Sequence, residues 1–187
     1  IKTIIMISYF ISLYLIIFWM LVLLEKGIKP KKVKLNKFPL VTICVPAYNE
    51  EKTIEETVYS ILDLDYPQDK IEIIIANDGS KDKTKQVAEE IIRANKDRNI
   101  ILINQRNKGK GAAMNNALKI AKGEFFIPLD ADSIVSPEAL KVLLPHFYTD
   151  NIAAVLPMIK IQHKSTIMRK IQHCEYLINF YYKRIMS

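Results

Sequence analysis

Leu40-Val41-Thr42-Ile43-Cys44-Val45-Pro46-Ala47-Tyr48-Asn49-Glu50-Glu51 sets an uncharged, β-branched run against a proline and then a polar stretch. The run over 40–45 reads as a buried strand, and Pro46 ends it because proline has no amide to give to a ladder. Asn49 suits the cap of a helix from about Glu50 to Leu64, with Ile54, Val58, Ile61 and Leu62 on one face. The same alternation continues downstream. Ile71 to Ala76 is a second strand, after a turn at Tyr66-Pro67-Gln68-Asp69. Asn77-Asp78-Gly79-Ser80 follows, and Ser80 to Asp82 start a second helix to about Ala94, with Val87, Ile91 and Ile92 inward. Ile100 to Asn104 is a third strand. Gly109 and Gly111 break the chain before a third helix, Ala112 to Lys122, whose end Gly123 caps. Phe125 to Leu129 is a fourth strand, Ser136-Pro137-Glu138 opens a fourth helix, and Ile152 to Leu156 is a fifth strand. Apolar strands alternating with helices give an α/β domain, a mostly parallel sheet covered on both faces.

The first residues are of another kind. Thr3 to Leu24 contains no charge, and its 22 residues at about 1.5 Å rise span roughly 33 Å, enough for the hydrocarbon core of a bilayer. A signal peptide would have a shorter apolar core and a small-residue cleavage site, and neither is present. Lys26, Lys29, Lys31, Lys32, Lys34 and Lys37 follow the segment and only Lys2 precedes it. The positive-inside rule therefore puts everything after Leu24 in the cytoplasm. The net charge of +7 is concentrated in that linker beside the membrane segment, which argues for lipid phosphates and against a nucleic-acid partner. Cys44 and Cys174 are far apart and have no metal-ligand spacing, and Cys44 reads as a small core residue. The three histidines, His146, His163 and His173, are scattered and read as surface or packing residues. From Ser165 onward, Ile167, Ile171, Cys174, Ile178 and Tyr181 recur at helical spacing, accompanied by Arg169, Lys170, Lys183 and Arg184. Such an amphipathic helix either packs on the core or lies against the membrane surface.

Asn49, Asp78, Lys108, Lys110, Asp130 and Asp132 all fall at or just beyond strand ends. In an open parallel sheet that is where ligands bind. Asp130-Ala131-Asp132 offers two carboxylates at the mouth of a buried strand, a site for a hard divalent cation bridging to the phosphates of a nucleotide. The G-x-G-x-x-G fingerprint is absent, and Asn107-Lys108-Gly109-Lys110-Gly111 lacks the phosphate-loop spacing. A dehydrogenase and a P-loop NTPase are thereby disfavoured.

Val45-Pro46-Ala47-Tyr48-Asn49-Glu50-Glu51, Asn77-Asp78-Gly79-Ser80-Lys81-Asp82-Lys83-Thr84, Asn107-Lys108-Gly109-Lys110-Gly111 and Leu129-Asp130-Ala131-Asp132, in this order and context, resemble a family 2 glycosyltransferase of the GT-A fold over residues 40–157. The resemblance implies an inverting transfer from a nucleotide-sugar donor, most often a UDP-sugar. It implies that Pro46, Ala47, Tyr48 and Glu50 line the nucleoside pocket and that Asp78 accepts a hydrogen bond from the base. Lys110 would lie near the nucleotide, Asp130 would approach the ribose or the metal, and Asp132 would ligate Mg²⁺ or Mn²⁺. The leading membrane helix and Gln172-His173-Cys174-Glu175-Tyr176 are similar to the synthases of hyaluronan, chitin or poly-N-acetylglucosamine, so a glycan acceptor is implied; some lipid-directed glucosyltransferases look similar over the same region.

The resulting organisation is a transmembrane helix over 1–25, a basic linker over 26–39, a nucleotide-sugar-binding GT-A domain over 40–164 and an amphipathic helix over 165–187 that begins an acceptor or membrane-interface region. In this family the general base lies in a later acidic motif, expected beyond Ser187. The chain, which begins at Ile1, therefore reads as a fragment carrying the donor half of the site and its leading membrane helix, expected to bind donor weakly and to show no turnover of its own. A sugar-1-phosphate nucleotidyltransferase and a non-catalytic nucleotide-sugar sensor are the competing readings. The first would want a Gly- and Arg-rich loop directly after the first strand.

Overall fold

The computed structural model describes residues 2–24, 37–148, 152–157, 159 and 166–186. The chain divides into two units, 1–33 and 34–187. The described residues of the first form α1 (Lys2–Leu24). It is uncharged after Lys2, with exposed Ile, Leu, Phe and Tyr side chains around its circumference. It is long and apolar enough to cross a membrane. The basic linker at 26–36 and the domain boundary at 164 lie outside the described residues.

The second unit is built on four parallel strands: β1 (Val41–Ala47), β2 (Ile71–Asn77), β3 (Ile100–Asn104) and β4 (Phe125–Pro128), in the order β3-β2-β1-β4. Between them run α2 (Ile54–Leu62), α3 (Thr84–Ala94) and α4 (Lys110–Ile120). After β4 come α5 (Ala139–Leu143), a 3₁₀ turn over Leu144–Tyr148, and α6 (Ile167–Met186). β1 and β2 are buried along nearly their whole length, which is why their sequences run apolar without alternation. One face of the sheet presents Val41, Ile43, Val45, Ile73 and Ile75 to Ile54, Val58 and Ile61 of α2, Ala88 and Ile91 of α3, and Leu140 and Leu144. The other face sets Cys44, Ile74 and Ala76 against Ala113 and Ala117 of α4. Each of the large buried aliphatics stabilises the fold by about 1.5–3 kcal/mol. The expected α/β architecture with helices on both faces is therefore what the chain adopts.

Several boundaries differ, for local reasons. Pro46 does not end β1: the strand continues to Ala47. Asn49 does not cap a helix at Glu50. It takes a left-handed conformation, φ 58°, and a turn over 51–53 precedes α2, which starts at Ile54. α3 starts at Thr84 and α4 at Lys110, with Gly109 at φ 88° as the residue before it. Gly123 does not cap α4, whose C-cap is Ala121, its amide donating to the Ala117 carbonyl. It is small for another reason: a Cβ there would lie 2.4 Å from the Thr42 amide nitrogen. Pro137 sits in a turn two residues before α5, so it is not the first helical residue. Finally, 152–157 is irregular and no fifth strand forms there. An apolar run becomes a strand only beside a partner ladder, and none of the four strands pairs with it.

Candidate functional site

The chain runs from β1 outward to β2 and β3, then returns to place β4 on β1's other side. The carboxyl ends of β1 and β4 thus flank a switch in strand order, the position where open α/β sheets hold ligands. A cleft of about 250 Å³ lies there. Pro46, Ala47, Tyr48 and Glu50 come from the end of β1, Asp78 from the end of β2, and Asp130, Ala131 and Asp132 from the end of β4. Lys110, the first residue of α4, closes it. The residues expected to line the nucleoside pocket, to lie near the nucleotide or to ligate the metal are thus brought to one cleft, with Ala131 in addition. Asn49 and Lys108 are not in its lining.

Asp78 is 4 % exposed and serves the loop beside it. Its Oδ1 accepts from Gln105 Nε2 at 2.6 Å and from the Lys108 amide at 2.9 Å, and its Oδ2 accepts from the Gly109 amide at 2.8 Å. Burial pushes this carboxyl up, but the three donors outweigh burial and hold it below the ordinary carboxylate value. Asp78 thereby pins the glycine-containing loop that delivers Lys110 and the amino end of α4 to the cleft. Gln105 is itself oriented by Asn116 Nδ2, 2.6 Å from its Oε1. Gly79, at φ 71°, passes so close to Asn107 that a Cβ would lie 2.7 Å from its amide nitrogen.

A second network joins the turn after β1 to the turn after β2. The Asn49 amide donates to Ser80 Oγ and Asn49 Oδ1 accepts from the Lys81 amide at 2.8 Å. The Glu50 amide donates to Thr84 Oγ1 at 2.8 Å, the Glu51 amide to Asp82 Oδ2, and the Lys83 amide to Glu51 Oε2. Asp82 also accepts from the Thr84 hydroxyl and amide. Burial raises the Asp82 carboxyl, and these donors more than offset it, so its pKa lies below the usual range. These bonds account for Asn49's left-handed backbone, a conformation that asparagine tolerates better than most residues.

Asp130 and Asp132 stand beyond β4 with Ala131 buried between them. The Ala131 carbonyl accepts from Thr57 Oγ1 of α2 at 2.8 Å, and the Ser133 amide bonds back to the Asp130 carbonyl at 3.0 Å. The bend carrying the two carboxylates is therefore fixed by a buried bond. The Lys110 ammonium pairs with Asp130 Oδ1, both side chains being about half exposed. Such a pair contributes under about 1 kcal/mol and yields readily to a stronger partner. The site thus combines hard oxygen donors with a lysine and a helix amino end, a setting for a cation bound together with an anionic ligand. Gln105, Asp82, Thr84 and Thr57 were given no site role from the sequence. Asp82 and Thr84, two apart before a helix, carry a recognisable capping signal, whereas Gln105 and Thr57 act across 27 and 74 residues and leave no local trace.

An open parallel sheet with this crevice defines an α/β protein of GT-A-like fold. The chain matches glycosyl transferase family 2 over residues 42–186 and belongs to that family. It is 37 % identical over 150 residues to the poly-beta-1,6-N-acetyl-D-glucosamine synthase of Staphylococcus aureus strain COL, which covers 79 % of this chain and 35 % of that protein. The Staphylococcus epidermidis synthase is 35 % identical over 137 residues, 73 % of this chain and 32 % of its own length. The chain thus spans about a third of these relatives. Among solved structures, the mannosyltransferase PcManGT of Pyrobaculum calidifontis, in complex with GDP-Man and Mn²⁺, aligns with a TM-score of 0.66 at 27 % identity, covering 78 % of this chain and 43 % of that one. Staphylococcus aureus TarS 1–349 in complex with UDP-GlcNAc aligns at 0.51 and 34 % identity, over 55 % and 29 %.

Proposed function

We propose that this chain forms the donor side of a membrane-bound, inverting glycosyltransferase that uses a UDP-sugar and a divalent cation to extend a polysaccharide. The observation that carries the reading is the junction of Asp130 and Asp132 with Lys110 and the amino end of α4 at the strand-order switch. The names of the relatives point to UDP-GlcNAc as the donor to try first.

In this reading Pro46, Ala47, Tyr48 and Glu50 line the nucleoside pocket, and Asp78 faces the base while holding the loop at 105–109. Lys110 and the first amides of α4 meet the diphosphate. Gly111 fits that role, because a Cβ there would meet no protein atom within 4 Å, so its smallness answers no packing need. The residues present also suit Mg²⁺ or Mn²⁺. Asp130 and Asp132 supply two carboxylate oxygens, and no group of three or more His, Cys, Asp or Glu side chains fit for a metal occurs among the described residues. A hard cation that completes its shell with phosphate oxygens and water matches such an incomplete protein set. When bound, the cation would offset the charge developing on the departing diphosphate. Lys110 would exchange its bond to Asp130 for the phosphates. α1 would anchor the domain to the membrane, with the lysine-rich linker on the cytoplasmic side.

Calorimetric titration of the detergent-solubilised protein with UDP, with and without Mn²⁺, tests this. Metal-dependent binding that Asp132→Ala abolishes is the expected result. Binding indifferent to metal, or untouched by the substitution, would remove the acidic pair from the site.

A further inference from the structure

A second buried polar cluster lies on the α4 face of the sheet, at the strand ends opposite the cleft. Glu72 of β2 is fully buried and pairs in register with Thr42 of β1. The Thr42 hydroxyl donates to Glu72 Oε2 at 2.6 Å, and the Lys122 amide donates to the same oxygen at 2.9 Å. Thr42 Oγ1 in turn accepts from the Gly123 amide at 2.9 Å. Glu72 Oε1 has no partner among the described residues. A buried carboxylate with one oxygen unpaired is a costly choice in the middle of a parallel sheet. Two apolar neighbours on the same face, Cys44 and Ile74, show what that layer otherwise holds.

What the carboxylate holds is the start of β4. Residues 122 and 123 are the turn by which the chain leaves α4 and enters that strand, and both amides are captured by the pair. Gly123 fits so closely over Thr42 that a Cβ would lie 2.7 Å from the hydroxyl oxygen. Among the described residues β4 pairs only with β1, from Val41↔Phe125 to Cys44↔Pro128. With so short a ladder, its register depends on where the turn is fastened. Two residues beyond its end stands Asp130. A slip of one residue would turn the strand's side chains to the opposite face, and a slip of two would carry the acidic pair about 6–7 Å along the sheet.

We propose that Glu72, acting through Thr42 and the Lys122–Gly123 turn, is a positioning residue for Asp130 and Asp132, setting the register in which β4 delivers them to the cleft. The inference rests on the donor-site reading above. Its role is to fix geometry at one end of a strand for chemistry at the other.

The test uses the detergent-solubilised full chain and UDP with Mn²⁺ as probes. Wild type is titrated first: absence of metal-dependent binding would overturn the donor-site reading itself. Given binding, Thr42→Val removes the hydroxyl with little change of shape, and Thr42→Ser restores it. Glu72→Leu removes the carboxylate, and Glu72→Gln keeps one acceptor oxygen. Ile74→Val, on the same face but outside the cluster, controls for simple loss of stability, with thermal midpoints measured for all five. Expected is a loss of tenfold or more in Mn²⁺-dependent UDP affinity for Thr42→Val and Glu72→Leu. Thr42→Ser and Glu72→Gln should stay within about threefold of wild type, and Ile74→Val should be unchanged. Should Glu72→Leu fail to fold, the Thr42 pair decides alone. Wild-type affinity in Thr42→Val, or an equal loss in Ile74→Val, would overturn the proposal.

Discussion

Replacing Asp78 with asparagine tests how the loop at 105–109 is held. The carboxylate accepts three hydrogen bonds at 2.6–2.9 Å while nearly sealed from water. Asparagine keeps the shape and one acceptor oxygen, enough for Gln105 and the Lys108 amide. Its Nδ2 then faces the Gly109 amide, donor against donor. One charge-assisted bond is lost and a buried N–H is left alone, a cost of about 2–3 kcal/mol. For a chain of this size that lowers the melting temperature by roughly 5–10 °C. The pH dependence has a definite sign. Asp78's folded pKa is lowered, so its extra stability is fully present above the ordinary carboxylate value of about 4. It is lost as pH falls through the lower folded value. Thermal unfolding followed by circular dichroism from about pH 7 to pH 3 should show wild type more stable at neutral pH and the gap narrowing below pH 4. Equal stability at pH 7, or a gap that stays constant through the acid range, would refute the view that an ionised Asp78 holds the loop.

Three further outcomes follow from particular contacts. Gly123→Ala forces a Cβ to 2.4 Å from the Thr42 nitrogen and should cost about 1–3 kcal/mol in chemical denaturation, as overpacking does. Tyr66 donates to the Pro39 carbonyl at 2.7 Å, and burial first, then the charges of Tyr148 and Glu124, push its phenol up to about 12. Its contribution is complete below pH 10 and is lost as pH rises towards 12; ultraviolet titration should therefore find a late-ionising tyrosine that Tyr66→Phe removes. Cys44 is fully buried with its thiol pushed up to about 11 by burial, while Cys174 is exposed. A thiol reagent should modify one cysteine in the native protein and the second only in denaturant.

The elements most legible in the sequence are those whose signal is local. β3 has the bounds its apolar run defines, and β2 exceeds its run only by Asn77. The cleft was legible in most of its lining, because strand ends in a parallel sheet converge, but the turns decide which polar residues reach it, and Asn49 and Lys108 do not. Where the reading failed, a distant partner had overruled a local preference. Asn49 looks like a cap, yet its side chain is claimed by Lys81 and its amide by Ser80, so the helix waits until Ile54. Gly123 looks like a helix terminator, yet it is small because Thr42, 81 residues earlier, lies against it. Residues 152–156 have strand composition, but composition supplies no neighbour to pair with. Asp78 was expected at the cleft and lines it, while its hold on the loop 27–31 residues away has no signature in its surroundings.

The strand order has a consequence for how the protein is made. β1 finds β2 after 30 residues, Val41 to Ile71, but the strand on its other side only after 84, Val41 to Phe125. At about 5–20 residues per second of synthesis, several seconds separate the two pairings. Throughout that interval β1 has an open edge, and β2 has one until β3 is made; each is a template for wrong partners. Substitutions that speed pairing of β1 with β2 should therefore leave the yield of folded protein unchanged. Slowing translation between residues 80 and 125 should lower it.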